Sequence, residues 1–315
     1  MFVHTNLEQL PDFQNAVITI GSFDGVHAGH QEILRRLCAA AAEIGGESVV
    51  ITFDPHPRLI IYPDDHSLKL INTTEEKCRL LAELGVQHTV LVLFDRKFAQ
   101  QSSDEYITDF LYKYFKPKQI IIGYDHRFGR ARTGDISFLQ QRATQFGYTV
   151  MEIPKQTVDA LEVSSTKIRR AIEAGDLLAA TQLLAHPFAL TGRVIQGDQL
   201  GRTLGFPTAN LELIDLEHQL LPPDGIYAVW VHHQQKRYGG MLYIGVRPTV
   251  RGQKELRIEV NILNFEGDIY GSDLRVDFVE RLRGDMRLNS LDELKQQMHY
   301  DREAAIMILA EKYND

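Results

Sequence analysis

The chain has 315 residues, 44% hydrophobic and 24% charged, an ordinary globular composition with enough length for two cores. Its net charge of −8, from 34 Lys+Arg against 42 Asp+Glu and with no basic tail, argues against a general binder of nucleic acid or of anionic membranes. No apolar run approaches the ~18–20 residues of a membrane helix, the start MFVHTNLEQLPDF lacks a signal peptide's basic and apolar regions, and the only cysteines, Cys38 and Cys78, fall in apolar helical contexts, so free thiols and a cytoplasmic setting are expected.

In chain order, the first half alternates apolar β-type runs with amphipathic ones. A strand is expected over 16–21, then a helix over 30–42, a strand over 48–53, a helix over 74–84 and a strand over 88–94. A helix over 103–115, a strand over 119–123, a helix over 135–146 and a strand over 148–153 follow. TTEEK, at the start of the second helix, has a capping hydroxyl followed by acids. This alternation predicts a mostly parallel sheet covered by helices, with ligands beyond the carboxyl ends of its strands.

VSSTKIRRAI, residues 163–172, then opens another amphipathic helix. Past Ala185-His186-Pro187 the pattern changes to short strands broken by Gly, Pro and Asp, over 188–195, 225–232, 236–244, 256–263 and 274–281. That spacing predicts a small antiparallel barrel. A long helix over 290–313 closes the chain. Two domains are expected, 1–186 and 187–315.

Three segments of the first domain carry candidate chemistry. GSFDGVHAGH, residues 21–30, lies where a strand gives way to a helix. Gly21 and Gly25 permit a sharp exit and close backbone approach around Phe23 and Asp24. The helix start is a natural anion site, and His27 and His30 there can donate to phosphate oxygens. Nucleotidyl transfer, in which charge builds on an α-phosphate, fits that arrangement. A His-x-x-His pair alone reads equally as a surface or capping feature, and zinc needs further ligands, for which His56 is the only near candidate.

Ser164, Ser165 and Thr166, with Lys167 and Arg169 in the first turns, form the second segment. On the segment alone an N-cap with surface cations is the favoured reading, yet cations belong at the other end of a helix, and a polyphosphate bound here would account for them. The third, GYDHRFGRARTGD (residues 123–135), is polar and glycine-rich; Asp125, Arg127, Arg130 and Arg132 are candidates to meet an anionic substrate.

The second domain opens with GRVIQGDQLGRTLGFPTANL, residues 192–211. Gly197, Gly201 and Gly205 suit a loop whose N–H groups wrap a phosphate, though a turn-rich barrel needs glycine anyway. After Pro207, the Thr208 hydroxyl and the Asn210 amide project on one side of an extended segment, and such hard oxygens suit Mg²⁺. Glu259, in LRIEVNILNF, shares a strand face with Arg257 and Asn261, as an exposed residue of an alternating strand would, and spacing alone does not choose between that and a functional role.

GSFDGVHAGHQ, TFDPHP, GYDHRFG and VSSTKIR together resemble the nucleotidylyltransferase superfamily with its His-x-Gly-His motif. Within it they look like the FMN adenylyltransferase module of bacterial bifunctional riboflavin kinase/FAD synthetases. GFPTAN is similar to the metal- and ATP-binding signature of riboflavin kinases. The resemblance implies a Rossmann-like α/β nucleotidylyltransferase domain with a parallel sheet, then a six-stranded antiparallel β-barrel with a C-terminal helix. It implies phosphorylation of riboflavin by ATP to FMN, then adenylylation of FMN to FAD with release of pyrophosphate, both with Mg²⁺.

By the same resemblance, His27 and His30 stabilise the α-phosphate. Gly21, Phe23, Asp24, Gly25, Ser164, Ser165, Thr166 and Arg169 bind nucleotide in the first domain, and Gly197, Gly201, Gly205 and Pro207 in the second. Thr208 and Asn210 hold the metal, Glu259 is the base, and Asp125 lines the FMN or nucleotide pocket; Arg127, Arg281 and Arg283 are expected on the flavin side, where a solvated basic face suits Arg281 and Arg283 nearly as well. Tyr243, where Asn is expected, and His126, where Phe is expected, depart from the pattern. The expected partners are riboflavin, FMN and ATP, with neither nucleic acid nor membrane. Class I aminoacyl-tRNA synthetases share the histidine motif, but the acidic charge, the missing Lys-Met-Ser-Lys-Ser segment and GFPTAN oppose that reading. The same motifs would also suit a flavin-binding regulator without turnover, though intact His27, His30, Thr208, Asn210 and Glu259 oppose it, or a chain with one live and one degenerate domain.

Overall fold

The computed structural model describes residues 1–154, 163–197, 201, 204–248 and 254–313. Its contacts divide the chain into two compact units, Met1–Ser165 and Thr166–Asp315.

The first unit is built on six strands: β1 (Phe2–His4), β2 (Val17–Ile20), β3 (Ser48–Asp54), β4 (His88–Leu93), β5 (Gln119–Gly123) and β6 (Thr149–Ile153). They lie in the order β1-β4-β3-β2-β5-β6, all parallel. The inner strands are apolar on both faces because both faces are covered. On one, Ile18, Val49, Ile51 and Ile120 pack with Phe110, Phe115 and Leu139. On the other, Val17, Val50 and Ile121 pack with Leu34, Leu37, Leu80 and Leu81.

The helices of this unit start at identifiable caps. The first, α1 (Ala28–Glu43), begins two residues before the expected position because His27 itself is the cap: its Nδ1 accepts from the His30 N–H at 3.3 Å. After α2 (Pro57–Ile61), α3 (Thr74–Glu83) starts with the Thr73 hydroxyl accepting from the Glu76 N–H, with Glu75 and Glu76 in its first turn. The helical run from 103 to 115 has the expected extent, but its middle, Tyr106–Tyr112, is π-helical. Strand β1 was not expected. It has three residues, too few to show a period, and is held at the sheet edge by pairing with β4.

The second unit includes helix Leu177–Leu184 and a closed barrel. Its strands are β7 (Ala189–Ile195), β8 (Ala209–Leu213), β9 (Gly225–His233), β10 (Lys236–Pro248), β11 (Lys254–Ile262) and β12 (Asp273–Gly284). They close in the order β10-β11-β8-β7-β12-β9, every pair antiparallel. Alternation sorts their side chains. Tyr227, Val229, Leu242, Ile258 and Val260 are buried on one face, and Ala228 and Met241 on the other pack with Ala305 and Leu309 of the C-terminal helix Leu291–Tyr313. The pairing of β12 with β9 is irregular between Phe278 and Glu280 and again between Arg281 and Arg283.

Candidate active sites

In the first unit, β2 and β5 are parallel neighbours, so the loops following both leave the same edge of the sheet. The loop after β2 is tightly built. Phe23, Gly25 and Val26 all have positive φ, and only the middle one is glycine. Local bonds hold the loop: the Asp24 carboxylate accepts from the Ile71 N–H at 2.9 Å, and the Gly25 N–H donates to Asn72 Oδ1 at 3.2 Å. Gly21 donates its N–H to the Ile51 carbonyl, and the buried Phe23 ring meets His30 edge-on.

His27 and His30 are stacked, with centroids 3.6 Å apart and planes inclined by 14°. With Nδ1 of His27 accepting the capping bond, its proton resides on Nε2. Burial, followed by the proximity of His27 and Lys77, pushes the His30 imidazole well below its ordinary pKa. Its Nδ1 is buried and has no hydrogen-bond partner. His30 is therefore neutral at physiological pH, a source of an N–H donor rather than of charge. Gly29 keeps this stack close to the chain, since a Cβ there would press on the His27 ring and on Val163.

The serine segment reaches the same loop: Ser165 Oγ donates to the Asp24 carbonyl at 3.1 Å. Ser164 and Thr166 are exposed, and Thr166 and Arg169 follow on helix Ser165–Glu173, beyond the division between units. The loop after β5 carries Asp125, exposed, and Arg127, which is ion-paired to Asp135, the cap of helix Ile136–Phe146, at 2.6 Å. His126 stacks on Phe128, its Nε2 is buried without a partner, and burial lowers its pKa to about 4.

Sequence reasoning missed Lys77. It is buried in α3, and its Nζ donates to the Ser22 carbonyl at 3.2 Å and to Thr52 Oγ1 at 3.3 Å, beneath the glycine loop. Burial lowers its pKa, with Asp24 opposing. The signal was present: Lys77 occupies the same helical stripe as Leu80, Leu81 and Leu84, where a cation is out of place without a polar partner.

In the second unit, a cavity of about 370 Å³ is lined by barrel strands, by the C-terminal helix and by the segment after β12. It gathers Gly201, Thr208, Asn210, Glu259 and Arg283. Thr208 Oγ1 donates to Glu259 Oε2 at 3.1 Å, and Asn210 is the cross-strand partner of Glu259. Gly197 packs so closely on the Asn210 amide that a Cβ would overlap it, and a Cβ at Gly201 would strike the Phe206 carbonyl. Gly205 has φ +87, and the Pro207 carbonyl accepts from Asn261 Nδ2 at 2.7 Å. The other wall is apolar, with Ile226, Met241, Met286, Leu294 and Met298.

The two arginines of β12 part company. Arg283 lines the cavity and makes a two-pronged ion pair with Asp301 of the C-terminal helix, at 2.9 and 2.8 Å. Arg281 instead donates to the Asp224 carbonyl at 2.7 Å and packs on Gly175. The register break between them undoes the usual i, i+2 relation, so they do not share a site.

The family model described as FAD synthetase matches residues 9–167, and that described as riboflavin kinase matches 184–309. A bifunctional riboflavin kinase/FMN adenylyltransferase of Escherichia coli (strain K12) is 39% identical over 297 residues, covering 94% of this chain and 93% of that protein. Proteins of the same description from Pseudomonas fluorescens and Bacillus subtilis (strain 168) are 37% and 32% identical, covering 95% and 92% of this chain and the same shares of their own lengths. A crystal structure described as a macrolide-efflux protein from Streptococcus pneumoniae matches with a TM-score of 0.83 and 33% identity, over 96% of this chain and 98% of that one. Among the described residues, no helix is long and apolar enough to cross a membrane.

Proposed function

The chain belongs to the bifunctional riboflavin kinase/FMN adenylyltransferases, and from that premise we propose which of its residues perform each step. It is an enzyme of flavin cofactor synthesis: ATP phosphorylates riboflavin to FMN, and FMN is then adenylylated to FAD with release of pyrophosphate. In our reading residues 1–186 carry the adenylyltransferase and 187–315 the kinase; the interval between the two matched family models supports a boundary in this region.

In the adenylyltransferase, His27 and His30 donate hydrogen bonds to the α-phosphate as charge grows on it. The observation that carries this is the stacked pair beside a helix start, with a neutral His30 and with His27 Nδ1 capping the helix. Gly21, Phe23, Asp24 and Gly25 shape the backbone around the nucleotide, and Ser164, Ser165, Thr166 and Arg169 take its β- and γ-phosphates. Asp125 and Arg127 border the flavin.

In the kinase, the Glu259 carboxylate receives the proton of the ribityl 5′-hydroxyl as that oxygen attacks the γ-phosphate. Gly197, Gly201, Gly205 and Pro207 line the ATP side, and Arg283 the flavin side. Arg281, expected there as well, is directed to Asp224, so we assign it no flavin contact. The Thr208 hydroxyl and the Asn210 carbonyl oxygen are hard donors beside a carboxylate, a set that fits Mg²⁺, and they would hold it. Bound there, Mg²⁺ supplies charge neutralisation to the phosphates. The ATP-dependent chemistry of both steps supports a cytoplasmic setting and the small-molecule partners riboflavin, FMN and ATP.

A product time course tests the reading. With riboflavin, ATP and Mg²⁺, FMN should appear first and FAD after a lag. Without Mg²⁺ neither should form, and failure to convert either riboflavin or supplied FMN would overturn the assignment.

A further inference from the structure

The kinase cavity is crossed by one continuous row of paired residues. Asn210 on β8 is the partner of Glu259 on β11, which is the partner of Tyr243 on β10. Tyr243 is in turn the partner of Ile226 on β9, and Ile226 of Arg283 on β12. All five line the cavity. The row is polar at the β8 end, beside Thr208 and the glycine segment; past β10 it runs through Ile226, with the apolar Met241 and Met298 lining the same cavity, to Arg283 and its partner Asp301.

Tyr243 therefore stands between the carboxylate and the apolar end. At about 4.8 Å per strand, the distance from Glu259 to Arg283 along the row is roughly 14 Å. Riboflavin has its reacting hydroxyl at one end of a polyol chain and its planar ring system at the other. With the hydroxyl at Glu259 and the ring system at the apolar end, the chain between them must cross Tyr243. In the assignment above, ATP lies on the opposite side of Glu259, toward β8 and the glycines.

The tyrosine ring has a built seat. It folds along its own strand onto Gly245, the next position on that face, where a Cβ would overlap its hydroxyl and Cζ. Gly245 does not have positive φ, so close approach, and not backbone conformation, is what glycine provides there. A side chain at 245 would lift the ring into the cavity.

We propose that Tyr243, seated on Gly245, is a specificity residue of the kinase: its ring is the floor over which the flavin's polyol chain passes between Glu259 and the apolar wall. The inference rests on the assignment of Glu259 as base. In this role the ring sets the depth available to the chain and has no part in binding ATP.

The test is steady-state phosphorylation by the full-length enzyme, with riboflavin and ATP varied separately, in Gly245→Ala, Tyr243→Ala and the double variant. An unchanged temperature for the loss of riboflavin phosphorylation on heating reports that the barrel is folded, and conversion of supplied FMN to FAD reports the same of the first unit. Gly245→Ala should raise the riboflavin KM roughly tenfold and leave the ATP KM within about twofold. The double variant should be no worse than Tyr243→Ala alone, because the added methyl group then has no ring to displace. Independent losses that multiply in the double variant, or a shift in ATP KM alone, would overturn the proposal.

Tyr243→Ala gives a second reading that does not depend on the glycine. It should weaken the enzyme's discrimination against a flavin whose five-carbon chain carries an added methyl branch, and unchanged discrimination sinks the idea. Glu259→Gln in the same assay separates the two levels. If it phosphorylates at the normal rate, the site reading fails and this inference with it. If it is inactive while both Tyr243 and Gly245 variants behave as wild type, only this inference fails.

Discussion

His30 has its ring buried against its partner His27, and its pKa is depressed by that burial, by His27 and by Lys77. A residue in that state stabilises a transition state by donation, without carrying a charge of its own. Removing one such donor typically costs 10²–10³ in rate. His30→Ala should therefore lower FAD formation by at least about 100-fold and leave riboflavin phosphorylation within about twofold, as separate assays with riboflavin and with FMN would show. His126 gives a prediction in stability. Its folded pKa, about 4, lies below the ordinary histidine value of 6.5, so the unfolded chain binds the proton more readily. Its contribution is complete above pH 6.5 and is lost as the pH falls toward 4, to a limit on the order of 3 kcal/mol. His126→Phe keeps a ring over Phe128 and removes both the titration and the orphaned Nε2. Its melting temperature should fall less steeply than wild type between pH 7 and pH 5; parallel curves would remove His126 from the account.

Among elements, those legible in the sequence were the ones with a strong period or a turn at each end. The inner strands of the sheet and α3 lie within a residue or two of expectation, because both-face burial and a Thr cap leave plain marks. Strand β8 was read only as an extended PTAN segment, and β1 was not read, since their stability comes from neighbours distant in sequence. The histidine motif and the PTAN segment were legible as candidate sites because several unusual residues stood together. Lys77 and the parting of Arg281 from Arg283 were not, since one depends on what covers a helix face and the other on a register break. The Arg283–Asp301 pair also has a mechanical role, joining β12 to the C-terminal helix, with Asp301 only 5% exposed. Asp301→Ala leaves a partly buried guanidinium without its partner, at a cost of about 3 kcal/mol. On heating, the variant should lose riboflavin phosphorylation at a temperature where it still adenylylates supplied FMN. Loss of both activities together would show that the pair does not act within the barrel unit alone.

At the scale of the molecule, each unit has its own hydrophobic core, and the described residues lining the barrel cavity lie in the second unit. The first reaction ends in FMN, a charged, soluble product and the substrate of the second. Nothing in the chemistry of either step requires both sites on one chain, provided FMN can leave the kinase cavity. Glu259→Gln should abolish riboflavin phosphorylation yet convert supplied FMN to FAD, the reverse of His30→Ala. Mixed in one tube with riboflavin and ATP, the two variants should then make FAD together, each supplying the step the other lacks. FMN should accumulate first, and the lag before FAD should shorten as the share of the Glu259→Gln protein rises, because that protein carries the working adenylyltransferase. A mixture that makes FMN but no FAD, while Glu259→Gln alone still converts added FMN at the same concentration, would mean that FMN is retained by the chain that makes it. In that case the two units would be coupled by product retention, and their separate cores would not make them separate catalysts.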